Sequence, residues 1–289
     1  MNSRNELNPL NELKYCNRAF ITLTHSLNKL IHLNQSNMDK QPVFISIANQ
    51  KGGIGKSTYT IFTASLLHYR MGYRVLVADC DYPQWSIARQ RERDLDVMES
   101  SERLKQQMMT QYKQTGQKVW PVLETQPSSA LADVSNYIRQ EEVPDVVLVD
   151  FPGTIGTKGV LGLMACMDYL FVPVRADKTV LESSITFART INEGIIARKS
   201  SPLKSVSMFW TMLDRRERTP LYEHYEQVIR HFGLSLMRSR LPMRSRFSRE
   251  SDGNGGIFRS TLFAADRSFT VDSGMDDFLA ELCAIAKLE

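Results

Sequence analysis

An α/β fold, with a doubly wound and mostly parallel sheet and helices on both faces, is predicted by three observations. Short apolar runs recur along the chain and are continuously apolar rather than alternating, as strands covered on both faces must be. Helical patterns separate these runs, which is the rhythm of strand–helix–strand crossovers. A glycine-rich turn follows the first run and opens a helix, and acids close two later runs. Ligands bind at the carboxyl ends of strands in such sheets.

Taken in order, residues 43–48 are a β-rich first strand, and residues 56–69 form the helix after the glycine turn. Residues 74–79 (Arg-Val-Leu-Val-Ala-Asp) are the second strand. Residues 86–113 are polar, with mixed charges and good helix formers, and read as a helix with a solvated face. A short strand is expected over 119–123, a helix over 130–139, and a third clear strand over 145–150 (Asp-Val-Val-Leu-Val-Asp). Residues 169–174 and 206–213 supply two more strands, with a helix over 180–198 between them. No repeat or low-complexity tract intervenes, so residues 38–289 read as one domain.

Composition fits that plan. Hydrophobic residues make up 42% of the 289 residues and charged ones 24%, which suits a soluble globular domain and not a disordered chain. The longest apolar stretch, 159–174, is interrupted by Asp168 and is too short and too charged to span a bilayer. The four cysteines are scattered without the spacing of a metal site. The first 37 residues differ from the rest, with eight asparagines and no glycine. They read as an upstream or disordered extension, with Met38 the working start. An accessory amphipathic helix over 17–33 is the second reading. A cleaved targeting peptide is disfavoured, for want of an uninterrupted apolar core and a small-residue cleavage site.

Chemistry concentrates in residues 45–58, Ile-Ser-Ile-Ala-Asn-Gln-Lys-Gly-Gly-Ile-Gly-Lys-Ser-Thr. Successive backbone N–H groups of a glycine turn, backed by a helix N-terminus, make an anion nest. Gly52, Gly53 and Gly55 allow close approach of phosphate oxygens, Lys56 supplies a charge, and the Ser57 hydroxyl suits Mg²⁺. An ordinary P-loop has glycine five positions before its Gly-Lys pair, where this chain has Gln50, and here an extra lysine, Lys51, precedes the glycines. Asp150 ends an apolar strand and runs into Phe151-Pro152-Gly153, the setting of a Walker B acid that holds the metal. Asp79 and Asp81 close the second strand, Asp79 reading as a loop or helix cap.

The string Lys-Gly-Gly-x-Gly-Lys-Ser resembles that of the deviant Walker ATPases of the ParA/MinD type. The resemblance implies a P-loop NTPase domain that takes ATP and Mg²⁺ and forms a homodimer on ATP binding. It implies that Lys51 reaches the partner's phosphates and that Gly52, Gly53, Ile54, Gly55, Lys56, Ser57 and Thr58 bind the nucleotide. It also implies that Asp81, with Lys51 and Lys56, serves hydrolysis, Asp81 by positioning water. Here the family's Asp-x-Asp-Pro-Gln reads Asp-Cys-Asp-Tyr-Pro-Gln, with Tyr82 inserted and Trp85 in place of a small residue. Thr211, in Thr-Met-Leu-Asp-Arg-Arg, and Pro242, in Leu-Pro-Met-Arg, match segments that lie near the adenine in the family.

Charge narrows the branch. Residues 197–267 hold 14 Lys and Arg against seven acids, and 12 of the 14 are arginine. Such a surface suits phosphate-backbone contact without base readout, and Arg215, Arg216, Arg218, Arg244 and Arg246 are the candidates for DNA. The tail 275–289 has four acids and one lysine, against what an anionic bilayer would attract, so no membrane partner is expected. What remains resembles the ParA partition ATPases, and more narrowly the ParA-like proteins of conjugative elements sometimes labelled TraA. The expectation is a cytoplasmic, nucleoid-associated ATPase, Mg-dependent, slow, and stimulated by a ParB-like or transfer-system partner. The alternatives are a nucleotide-bound DNA-binding regulator or scaffold with negligible hydrolysis, and a MinD-like positioning ATPase.

Overall fold

Seven strands, every pair parallel, form one sheet in the order β3-β2-β4-β1-β5-β6-β7 in the computed structural model, which describes residues 41–197, 201–214, 219–251 and 256–288. The expectations for residues 1–37 lie outside the described residues. The strands are β1 (Val43–Ile47), β2 (Val75–Asp79), β3 (Val122–Glu124), β4 (Val146–Asp150), β5 (Tyr169–Val174), β6 (Ser205–Leu213) and β7 (Ser235–Pro242). The helices are α1 (Lys56–Tyr69), α2 (Ser86–Glu99), α3 (Glu102–Thr115), α4 (Ala130–Gln140), α5 (Val160–Ala165), α6 (Lys178–Ile191), α7 (Thr219–His231), α8 (Arg267–Asp272) and α9 (Met275–Ala286).

Two apolar clusters lie on the two faces of the sheet, which explains the unbroken hydrophobicity of its central strands. Along β4, Val147 and Val149 pack with α4, α5 and α6, while Val146 and Leu148 pack with α1 and α9. Alternate side chains of one strand thus serve opposite layers. The doubly wound α/β architecture expected from the sequence is the one observed. The apolar stripe of the C-terminal segment also packs as expected, with Phe278 and Leu282 of α9 fully buried against the sheet.

Three expectations are corrected. Residues 86–113 form two helices rather than one, divided where the Ser101 hydroxyl accepts from the Leu104 amide at 3.4 Å and starts α3. Nor is α2 merely a solvated face, since Ile87, Ala88, Gln90 and Asp94 are buried. The helix expected over 180–198 begins earlier, where Asp177 caps Val180 N at 2.9 Å, and gives way to a π-turn over Asn192–Ile196. Beyond these, α7 and β7 were not anticipated. Strand β7 lies at one edge of the sheet, and two of its amides are occupied from α9. The Glu281 carboxylate, from α9, accepts from Arg238 N and Ser239 N, both at 2.8 Å.

Candidate functional site

The phosphate-type loop leaves β1 and enters α1 through two glycines with positive φ, Gly53 at 68° and Gly55 at 91°. At Gly55 a Cβ would lie 2.8 Å from the Tyr59 ring, so both dihedral and space demand glycine there. The loop entry is bolted to α6. Asn49 is buried, donates through Nδ2 to Pro173 O and Ser184 Oγ at 2.8 Å, and accepts from Lys51 N at 3.1 Å. Gln50, at the place of the expected glycine, donates to Ser183 O at 2.8 Å and to the Ser183 hydroxyl. The missing glycine is therefore a tether. Sequence reasoning overlooked that role, because its partner is 133 residues away.

Beside the loop, Lys56 is 8% exposed and its Nζ donates to Lys51 O at 3.1 Å. Burial lowers its pKa, while Asp150 and Asp81 oppose the shift. The Ser57 hydroxyl donates to Asp150 Oδ2 at 2.6 Å. Asp150 is fully buried and its Oδ1 has no partner among the described residues. Burial, and then the neighbouring Asp79 charge, pushes the Asp150 carboxyl up to about 8. A buried carboxylate with an unused oxygen beside a hydroxyl is a half-built site for a hard cation. Ser57 and Asp150 would hold a magnesium ion there through oxygen, the donor that a hard cation prefers. Among the described residues no cluster of three or more His, Cys, Asp or Glu could hold a metal alone.

The two acids that close β2 do different work. Asp79 accepts from Asp81 N at 3.2 Å, Ile87 N at 2.9 Å and Ala88 N at 3.0 Å, which caps α2. Asp81 instead faces the cleft, its Oδ2 accepting from the Ser86 hydroxyl at 2.9 Å. The cleft, of about 590 Å³, is bounded by the glycine loop, Asp81–Gln84 and the segment from Phe151 to Thr157. Tyr82 stands 49% exposed at its wall, edge-on to Trp85 with ring centroids 5.3 Å apart.

The structure thus brings Gly52, Gly53, Gly55, Lys56, Ser57, Thr58 and Asp81 together on one cleft, with Asp150 beneath Ser57. Ile54 is 2% exposed and offers only backbone. Lys51 is half-buried at the loop entry, and its amine has no partner among the described residues. Thr211 is not on this cleft; it is fully buried on β6, hydrogen-bonded to the Tyr59 hydroxyl, whose pKa burial raises to about 12. Pro242 ends β7 opposite Leu213 and is likewise absent from the cleft wall. Arg215, Arg216 and Arg218 lie outside the described residues. Arg244 is tied to Asp272, at 3.2 Å from its carboxylate and 3.1 Å from its carbonyl, whereas Arg246 is exposed over the Phe258 ring.

Comparison with known proteins agrees with this geometry. A model of the CobQ/CobB/MinD/ParA nucleotide binding domain matches residues 45–255. The chain is 29% identical over 214 residues to the chromosome-partitioning ATPase Soj of Thermus thermophilus, covering 71% of this chain and 82% of that protein. Its fold is shared with MinD of Aquifex aeolicus (TM-score 0.51, 17% identity, 84% of this chain and 97% of the other). It is shared too with a putative plasmid partition protein of Borrelia burgdorferi solved with AMPPNP (TM-score 0.50, 16% identity, 83% and 99%). A third structure is cobyrinic acid a,c-diamide synthase of Mycobacterium smegmatis with an ATP analog and magnesium (TM-score 0.53, 19% identity, 83% and 94%). With the glycine loop, the Ser57–Asp150 pair and the parallel sheet matched over most of its described length, the chain belongs to the CobQ/CobB/MinD/ParA nucleotide-binding family, as a ParA/MinD-type ATPase.

Proposed function

We propose that this chain binds MgATP, closes into a homodimer around it, and then grips DNA through phosphate contacts, as a partition-type ATPase serving a chromosome, plasmid or conjugative element. The observation that carries the reading is the Ser57–Asp150 pair beside buried Lys56, with the Lys51 amine at the loop entry unpaired among the described residues. A donor set for phosphate and cation thus stands with a second lysine free to act elsewhere.

In this reading Lys56 Nζ exchanges the Lys51 carbonyl for phosphate oxygens, and the loop amides from Gly52 to Ser57 donate to the same anion. Ser57 and Asp150 would hold the cation, which when bound would neutralise charge on the phosphates. Asp81 leaves Ser86 and orients water for attack on the γ-phosphorus; the P–O bond to ADP breaks, ADP departs, and both protons of the water leave on the phosphate as dihydrogen phosphate. Lys51 of one copy reaches the phosphates of the other. Hydrolysis is slow and a ParB-like or transfer-system partner stimulates it. The DNA-bound population makes the protein nucleoid-associated in the cytoplasm. Arg246 and Arg249 are exposed and available for backbone contacts, which at physiological salt would give an affinity on the order of 10⁻⁴–10⁻⁶ M per site.

Tyr82 favours a second reading, a nucleotide-bound DNA regulator with negligible turnover, because its exposed ring is inserted into the cleft wall next to Asp81. Turnover measured with DNA and the cognate partner separates the two. The test of the main reading is a gel shift with and without MgATP over a salt series, beside sedimentation. Lys56→Ala is expected to weaken ATP about a hundredfold, since hydrogen bonds to charged groups contribute roughly 1.5–3 kcal/mol. Dimerisation and DNA binding should be lost with it. DNA binding that ignores nucleotide sinks the switch.

A further inference from the structure

Arg259 stands 201 residues from the glycine loop in sequence, yet its guanidinium donates to Thr58 Oγ1 at 3.1 Å. Thr58 lines the cleft. A hydroxyl that accepts from a guanidinium keeps its own proton for another acceptor. Among the described residues Thr58 has none, so its O–H is left for whatever fills the cleft.

Arg259 is poorly neutralised where it sits. Its side chain is 15% exposed, its nearest carboxylate is Glu250 at 3.6 Å, and Glu250 is shared with Arg93 at 3.2 Å. The guanidinium also donates to Phe247 O at 3.3 Å, and its Nε is buried without a partner. Burial presses its pKa downward, with Glu250 and Asp94 opposing. The base on which it stands is rigid. Ser65 Oγ donates to Ser260 O at 2.7 Å and Tyr69 OH to Thr261 O at 3.0 Å, both from α1. From α2, Asp94 Oδ2 accepts from Thr261 N at 2.6 Å and Thr261 Oγ1 at 2.7 Å. Residues 257–263 therefore strap the phosphate-loop helix to the helix that follows Asp81, and the strap aims one cation at the loop.

We propose that Arg259 is a positioning residue for the bound nucleotide, acting through Thr58, whose hydroxyl it holds and polarises as a donor to a phosphate oxygen. The inference rests on the nucleotide reading of the cleft. Hydrogen bonds assisted by a charge are the stronger ones, and an oxygen that accepts from a cation donates its own proton more strongly.

The test is a double-mutant cycle read as MgADP affinity by calorimetry on the full chain, ADP being used so that turnover does not intervene. Arg259→Gln and Thr58→Val should each weaken MgADP about tenfold, as a charge-assisted contact would. The double variant should sit about tenfold below wild type in total, no weaker than either single variant and not about a hundredfold below, because both changes remove one interaction. Arg259→Lys, which retains a buried cation, should fall between wild type and Arg259→Gln, and it replaces Arg259→Gln in the cycle if that variant does not fold. Losses that multiply in the double variant would mean a structural role and overturn the proposal. So would an Arg259→Gln affinity within twofold of wild type. If the wild-type chain binds no MgADP, the nucleotide reading falls first, a result distinct from failure of the cycle alone.

Discussion

The cleft between β1 and β4 and the arginine-rich C-terminal third use charge in opposite ways. At the cleft, Lys56, Asp81 and Asp150 crowd together with unused bonding capacity, and burial drives Lys56 down and Asp150 up. In the C-terminal third many charges are already matched. Glu226, 9% exposed, accepts from Trp210 Nε1 at 3.2 Å, from Arg230 at 3.1 Å, and from Arg240. Arg244 is held by Asp272. Unmatched buried charge marks a place for a ligand, whereas matched charge holds the chain together. A surplus of arginine in the sequence does not say which of the two applies.

The sharpest way to break that contrast is Glu226→Ala. If the matched region is structural, removing the shared acceptor leaves an indole N–H and two guanidiniums without it. The loss should be about 2–3 kcal/mol by denaturant titration, below the figure for a fully buried pair because both arginines reach solvent. Nucleotide affinity should stay unchanged. Gly55→Ala probes the other region and should cost about 1–3 kcal/mol, from a positive φ and the Tyr59 ring, with nucleotide binding falling alongside. Arg246→Ala combined with Arg249→Ala addresses the unmatched arginines. Stability should move by less than about 0.5 kcal/mol, while the slope of log affinity for DNA against log salt should fall by about 2. An unchanged slope would assign the DNA contact elsewhere.

The smallest effect is the pH term of Asp94. Burial raises its carboxyl pKa, and the Thr261 hydrogen bonds only partly oppose this. A carboxyl raised on folding favours the fold most below its unfolded pKa, and that contribution is lost as pH rises through the folded one. Asp94→Asn should therefore flatten the decline in stability on the alkaline side of pH 4, seen by thermal melts across pH. A steeper decline would reverse the assignment.

Much of the fold was legible, for a physical reason. Strands covered on both faces are apolar at nearly every position, so β1, β2, β4 and β5 appear in the sequence within a residue of their observed ends. Helix α1 is legible from Gly55 and Lys56 alone. Edge strand β7 alternates exposed Arg238 and Arg240 with buried Met237, Ser239 and Leu241, and that pattern dissolves in an arginine-rich background. At the site, the motif named the residues that approach phosphate, because a loop's chemistry is local in sequence. Gln50 and Arg259 escaped, since their partners Ser183 and Thr58 are set by the fold and not by spacing. Thr211, chosen by resemblance to an adenine-side segment, is enclosed against Tyr59.

The Glu281 carboxylate lies along the margin of β7, where it occupies the amides of Arg238 and Ser239. A neighbouring chain seeking to lengthen the sheet would find those donors taken and an acid in its path. Self-association is thereby steered away from open-ended stacking of strands.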